Sequence, residues 1–234
     1  MMSSAPIHSP VQSSSPSLRS VQGGTARYAF TLPGLHLEHV LYSWQSEVDD
    51  QLAMRIIALM RLTTSSAPVI GFGQAISDEA AASYIRDLRD NLAAGKCTMM
   101  TIEANSQRLI GLCTLRRNLN PNNAHIADLA KGMIDEAYRG YLVLPAAFYE
   151  ISLRCEDEGV DLVTLDVRSG TQAHRSWERF GFETYGVLPD YARVSGKSLS
   201  GHFMMQTVED LKARALTVLQ SPAQPRAEQA TVHG

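Results

Sequence analysis

The sequence predicts a mixed α/β domain, and three stretches carry the prediction. Residues 125–206 read in order as apolar strand, turn at Tyr138-Arg139-Gly140, amphipathic helix, apolar strand, short helix, strand, loop and strand, the alternation of βαβ units. Residues 97–104 and 108–116 are two apolar runs joined by the polar Asn105-Ser106-Gln107, which predicts a hairpin. Upstream of them, 47–62 and 77–95 carry helical patterns.

Taken in order, residues 1–26 are dominated by Ser, Pro and Gly, with few side chains able to anchor a core, and predict a disordered tail. The short apolar run 36–44 reads as a first strand. Over 47–62, Leu52, Ile56, Leu59 and Met60 recur at helical spacing, with acids in the first turn where they suit the helix dipole. Residues 63–76 read as a loop with Gly71 and Gly73 around Phe72. Ser77, followed by Asp78 and Glu79, is an N-cap, and its helix stops at Gly95. After the hairpin, 118–123 is a turn cluster and 124–134 a third long strand. The helix over 141–158 carries Leu142, Leu144, Ala147, Phe148, Ile151 and Cys155 on one face, and Pro145 is tolerated because it lies in the first turn. Residues 160–167 read as a buried parallel-type strand and 171–180 as a short helix closed by Gly181. Residues 182–187 and 202–207 are the last strands, antiparallel to each other, and 209–219 a final helix. With a polar tail over 221–234, one domain is expected over 27–220.

At 234 residues, 44% hydrophobic and 19% charged, the composition suits one globular domain plus tails. A formal net charge of -3 gives no electrostatic footprint for nucleic acid. No apolar run reaches the roughly 20 residues of a membrane span. The N-terminus lacks the basic flank and apolar core of a secretory signal, so a cytoplasmic protein is expected. Cys97, Cys113 and Cys155 have neither CxxC nor Cys/His spacing, which predicts packed, reduced thiols and no metal.

Three features of the 125–206 stretch resemble the acyl-CoA-binding half of GNAT-type (GCN5-related) N-acetyltransferases. They are the Arg139-Gly140 turn after a strand, the Ala173…Trp177-Glu178-Arg179-Phe180-Gly181-Phe182 helix end, and the Leu188-Pro189-Asp190-Tyr191 loop before a last strand. The resemblance implies a mostly antiparallel central sheet with helices on both faces and one splayed parallel strand pair. It implies N-acyl transfer from a thioester such as acetyl-CoA to an amine of a small metabolite, with no metal. It places the cofactor beside Met133, Ile134, Arg139, Gly140, Tyr141, Leu142, Val143 and Trp177, with pyrophosphate at the start of a helix, where free N–H groups and the dipole favour anions. Dimers through the last strands are common in this family.

The chain departs from the family pattern at three points. Leu142 and Leu144 stand where glycines let backbone approach phosphate. Trp177 stands where a tyrosine protonates the departing thiolate, a task an indole cannot perform. Gly170 replaces a common asparagine. Two alternatives follow: a GNAT-like enzyme fed by an acyl carrier protein or aminoacyl-tRNA, or a non-catalytic GNAT-like binding module. For catalysis, Asp128 is the candidate general base, set by strand alternation on the face of Ala130 and Gly132 and opposite Lys131. His174 is a candidate proton relay, as is His125, and Tyr191 resembles a residue that closes over the acceptor. Cys155 has no cationic partner in sequence to activate it.

Overall fold

A computed structural model describes residues 19–31, 37–66, 76–104, 107–194 and 196–221. Nine strands form one sheet: β1 (Arg19–Gln22), β2 (Thr25–Thr31), β3 (Leu37–Gln45), β4 (Cys97–Ala104), β5 (Leu109–Arg117), β6 (Ile126–Ile134), β7 (Leu162–Arg168), β8 (Glu183–Val194) and β9 (Lys197–Thr207). Their order is β1-β2-β3-β4-β5-β6-β7-β9-β8, antiparallel throughout except for the parallel pair β6 and β7. That pair is joined only at Ile126↔Leu162, Ala127↔Val163 and Asp128↔Thr164, so the two strands part beyond Asp128. The expected mostly antiparallel sheet with a splayed parallel pair is the architecture found.

Among the described residues, five α-helices pack on the sheet: α1 (Asp50–Ser66), α2 (Asp78–Ala93), α3 (Val143–Asp157), α4 (Gln172–Arg179) and α5 (Val208–Gln220). Two apolar clusters fix the layers. One joins α1 and α2, through Ile56, Met60, Ile85 and Leu88, to Met99, Leu112 and Met133 on one face. The other joins α3 and α5, through Phe148, Ile151, Leu211 and Ala215, to Ala127, Leu129, Val163, Leu165 and Met204 on the opposite face. Ser77 caps α2 by accepting from the Ala80 amide, and Gly95 follows that helix at φ +64°, a left-handed turn that glycine adopts without strain.

The structure corrects the sequence reading in four places. The expected tail over 1–26 contains strand β1 and the start of β2, so the run at 36–44 is the third strand and not the first. The N-terminal hairpin holds because Glu150 of α3, only 6% exposed, accepts from Arg19 Nε at 2.6 Å, Arg19 Nη2 at 3.2 Å and Tyr28 Oη at 2.5 Å. Helix α1 runs on to Ser66, into the expected loop; the rest of that loop, 67–75, lies outside the described residues, as does 222–234 of the expected C-terminal tail. The Leu188-Pro189-Asp190-Tyr191 stretch belongs to β8. Its ladder skips from Leu188↔Gly201 to Ala192↔Leu199, and the residues between bulge out, where an edge strand accepts proline. Finally, β6 carries a bulge: pairing to β5 skips from Thr114↔Ala130 to Leu112↔Met133, and Lys131 takes φ +55°. Leu129 and Met133, four apart, therefore pack into opposite clusters, and simple alternation does not place Lys131 opposite Asp128.

Candidate functional site

Because Ala127, Leu129, Val163, Leu165 and Met204 all face α3 and α5, their neighbours Asp128, Thr164, Asp166, Phe203 and Met205 face the side of α1 and α2. Over β7, β9 and β8 none of the described helices covers that side. The two helices lying on it are α1, against β5 and β6, and α2, against β4. A polar group gathers at the edge of this opening, beside the point where β6 and β7 part.

Asp128 is half-buried. Arg116 of β5, its cross-strand partner, lies with Nη1 at 3.6 Å from Oδ2, and Thr164 is its parallel partner on β7. Burial pushes the Asp128 carboxyl above the usual carboxylate range; Arg116 pulls it down, Asp166 raises it further, and a hydrogen bond from Thr164 opposes. Lys131 has the same charged neighbours. Burial and then Arg116 lower its ammonium below the usual lysine range, against a raising pull from Asp166. Tyr191 donates its hydroxyl to Asp166 Oδ2, and its phenol is pushed up to about 12 by burial first, then by Asp166. The ring lies flat against Gly201: a Cβ there would sit 2.6 Å from both Cδ atoms and closer still to Cγ. Phe203 meets the Tyr191 ring edge-on, with centroids 6.3 Å apart.

Of the three expected catalytic residues, the structure brings Asp128 and Tyr191 to this face and leaves His174 on the other. His174 is 8% exposed, capped into α4 by Thr171, and stacked on His202 with centroids 4.1 Å apart. Sequence reasoning missed Asp166 and Arg116. The signal for Asp166 was present, a lone carboxylate in the apolar run VDLVTLDV, in step with Thr164. Cys155 is buried with its thiol raised to about 12, first by burial and then by Glu158, which makes it inert as a nucleophile.

The expected cofactor residues divide by role. Asp135 ends β6: its carboxylate accepts from the Ala137 amide at 3.1 Å and pairs with Arg108, setting the one-turn helix Glu136–Tyr138. Arg139 follows, its Nε donating to Ile134 O at 3.0 Å, and Gly140 takes φ +85°. Helix α3 then opens at Val143, whose carbonyl accepts from Tyr42 Oη at 2.9 Å. No side chain caps that helix start at Leu142, and Pro145 removes one first-turn donor; of the first-turn amides, Leu142 and Leu144 belong to half-buried residues, whereas Val143 is fully buried. Tyr141, Leu142, Leu144 and Ile134 pack on the α3 cluster, whereas Met133 packs on the α1/α2 cluster. Trp177 sits among Phe148 and Phe182, with ring centroids 5.2 and 5.1 Å away, as an aromatic wall beside α3. Among the described residues, no group of three or more His, Cys, Asp or Glu is placed to hold a metal ion, and no helix is long and apolar enough to cross a membrane.

No protein-family model and no curated protein matches this sequence. Solved structures do match. A GCN5-related N-acetyltransferase from Brucella melitensis superposes with TM-score 0.59 at 13% identity, over 77% of this chain and 82% of its own. An acetyltransferase from Salmonella typhimurium that modifies the N-terminal serine of 50S ribosomal subunit protein L7/L12 gives 0.59 at 13%, over 72% and 94%. A GNAT-family acetyltransferase from Streptococcus pneumoniae gives 0.56 at 14%, over 71% and 99%. Likeness at such low identity is likeness of architecture, and on that ground the chain carries the fold of the GCN5-related N-acetyltransferases.

Proposed function

We propose that this protein is an N-acyltransferase that moves an acyl group from a thioester donor, acetyl-CoA or another acyl-CoA, to an amine of a small metabolite. The observation that carries the reading is Asp128: a carboxylate held above its usual range, on an open sheet face, at the point where β6 and β7 part. Asp128 takes the proton from the attacking ammonium, a role that gains from a pKa raised toward neutrality. Tyr191, protonated throughout the neutral range, fixes Asp166 and walls the acceptor side. The backbone of β6 beyond Asp128, unpaired to β7, lines the cleft for the thioester. Arg139 and the Leu142 and Leu144 amides face the donor's phosphates. Trp177 bounds the thiol end without donating a proton; a thiolate is stable enough to leave unprotonated.

The test is calorimetry and thermal shift with acetyl-CoA and CoA, followed by acyl transfer to an amine panel. A donor at 100 times its dissociation constant adds about 2.7 kcal/mol of stability. No shift with any acyl-CoA, together with no transfer, sinks the proposal. One observation favours a second donor. Leu142 and Leu144 are half-buried on the core and Pro145 removes an amide, so the start of α3 is a sparse phosphate cradle. Transfer from an acyl carrier protein or aminoacyl-tRNA without CoA binding would select that variant of the same chemistry.

A further inference from the structure

Beside the Asp128–Tyr191 group, the open face continues as an apolar strip along β9 and β8. Phe203 touches Tyr191 on one side and Tyr185 on the other, with centroids 6.3 Å away in each case. Met205 follows two residues along β9 on the same face, paired across to Glu183. Tyr185 is 56% exposed and Met205 37%. Among the described helices, α4 and α5 pack on β7 and β9 from the α3 side, where His174, Phe180 and Leu211 lie, and α1 and α2 stop at β6. A contiguous aromatic and thioether surface left open beside two carboxylates is a surface built for a ligand with matching chemistry at each end.

We infer that the acceptor is a primary amine carried on an extended apolar or aromatic group. Its ammonium meets Asp128 and Asp166, and its apolar body lies along Phe203, Tyr185 and Met205. This rests on the acyltransferase reading and deepens it. At the amine end Arg116 is paired with Asp128 and Lys131 stands within the field of Arg116 and Asp166, while the Asp166 carboxylate, exposed and bonded to Tyr191, stands at the head of the strip as the acid nearest the apolar surface. The body of the strip is two aromatic rings and a thioether; its polar groups, the Tyr185 hydroxyl and Glu183 across from Met205, lie at its far end. The step is a plain acyl transfer. Asp128 takes one proton from the ammonium, the freed amine nitrogen forms a bond to the thioester carbonyl carbon, the carbon–sulfur bond breaks with its electron pair leaving on sulfur as thiolate, and the second proton of the acylated nitrogen passes to water as the amide forms.

The experiment is a homologous series of linear primary amines, ethylamine to octylamine, with phenethylamine and two polar amines of similar size, glycinamide and ethanolamine, acylated by the full chain from acetyl-CoA. Full burial of a methylene is worth about fourfold, and a strip covers one side of the ligand, so kcat/KM should rise about twofold per methylene until the strip is spanned. Phenethylamine should exceed both polar amines by about tenfold or more. Phe203→Thr should flatten the slope, with Met205→Thr as the second variant should the first fail to fold by circular dichroism. Acylation with no dependence on chain length overturns the inference while leaving the acyltransferase reading standing. No acylation of any amine from acetyl-CoA, an acyl carrier protein or aminoacyl-tRNA ends both. Sedimentation runs in parallel: a dimer that Phe203→Thr and Met205→Thr both dissociate assigns the strip to a second copy of the chain and also overturns the inference.

Discussion

The placement of Tyr191 against Gly201 makes one glycine decisive for the proposed site. Gly201 lies outside the left-handed region, so alanine meets no backbone objection there, and the cost of Gly201→Ala is purely steric. The new Cβ would stand 2.6 Å from Cδ1 and Cδ2 of Tyr191. Carbon atoms at rest sit about 3.5 Å apart, so the ring must retreat by roughly 1 Å, and its hydroxyl leaves Asp166. A displacement of that size at a reacting centre is worth about 10²-fold in turnover. Two assays check this. Transfer kinetics should show kcat reduced about 10²-fold, and Gly201→Ala should add nothing in a Tyr191→Ala background, where the ring is gone. Spectrophotometric titration, taken as the difference from Tyr191→Phe, should show the Tyr191 phenol descending from about 12 as the displaced ring loses burial, the larger cause, and Asp166 no longer holds its hydroxyl. Wild-type turnover in Gly201→Ala, or an equal loss with and without the Tyr191 ring, refutes the reasoning.

Asp128→Asn should lower kcat by roughly 10²–10⁴ with little change in donor KM, and the acid limb of the wild-type rate profile should lie above the usual carboxylate range. The sign for stability is opposite to that of a salt-bridged acid. A raised folded pKa favours the fold below the ordinary carboxylate value and loses that contribution as pH rises through the folded pKa, so the Asn variant should not be destabilised near neutrality; unfolding at pH 7 would mark Asp128 as a structural partner. Arg139→Ala should raise donor KM by about one to two decades, the worth of a charge-assisted bond to phosphate, and unchanged donor saturation would remove the phosphates from this turn. Glu150→Ala leaves Arg19 and Tyr28 without their shared acceptor and should cost about 3 kcal/mol in urea denaturation; a loss under about 0.5 kcal/mol, the size of an ordinary surface change, would show that the N-terminal hairpin is not held by this carboxylate.

What the sequence disclosed follows the range of the forces involved. Helix α2, the β4–β5 hairpin and helix α3 are written in local periodicity and caps, and all three stand where their patterns put them. The β1–β2 hairpin escaped because its anchor is long-range: Arg19 and Glu150 are 131 residues apart, and no local pattern in a Ser- and Gly-rich stretch announces a buried carboxylate waiting on a distant helix. The site was half legible. Asp128 and Tyr191 were nameable, one from its strand and one from a family resemblance. Their partners Arg116 and Asp166 depend on which strands become neighbours, and Arg116 meets Asp128 only through the β5–β6 register. The position of His174 has a related cause: its ring faces His202 on the covered side of the sheet, a matter of which face α4 lies on, and residue type does not disclose that.

The additional residue at Lys131 acts as a phase shift of half a pleat. Upstream of it β6 is written for the α3 layer, with Ala127 and Leu129 inward; downstream it is written for the α1/α2 layer, with Met133 inward. One strand thereby serves two cores that a regular strand could serve only by alternating between them. Deleting a single residue between Ala130 and Met133 would remove the bulge and leave both residues on the α1/α2 face, two apart in a regular strand; a deletion upstream of the bulge, among 127–129, would instead turn one side of the strand toward the wrong layer. Spacing, more than composition, is then the quantity that sequence drift must preserve upstream of the bulge. Substitutions there should be far better tolerated in a mutational scan than a one-residue deletion, whereas a deletion at the bulge itself should be the milder of the two deletions, a contrast that a tail or a loop tip would not show.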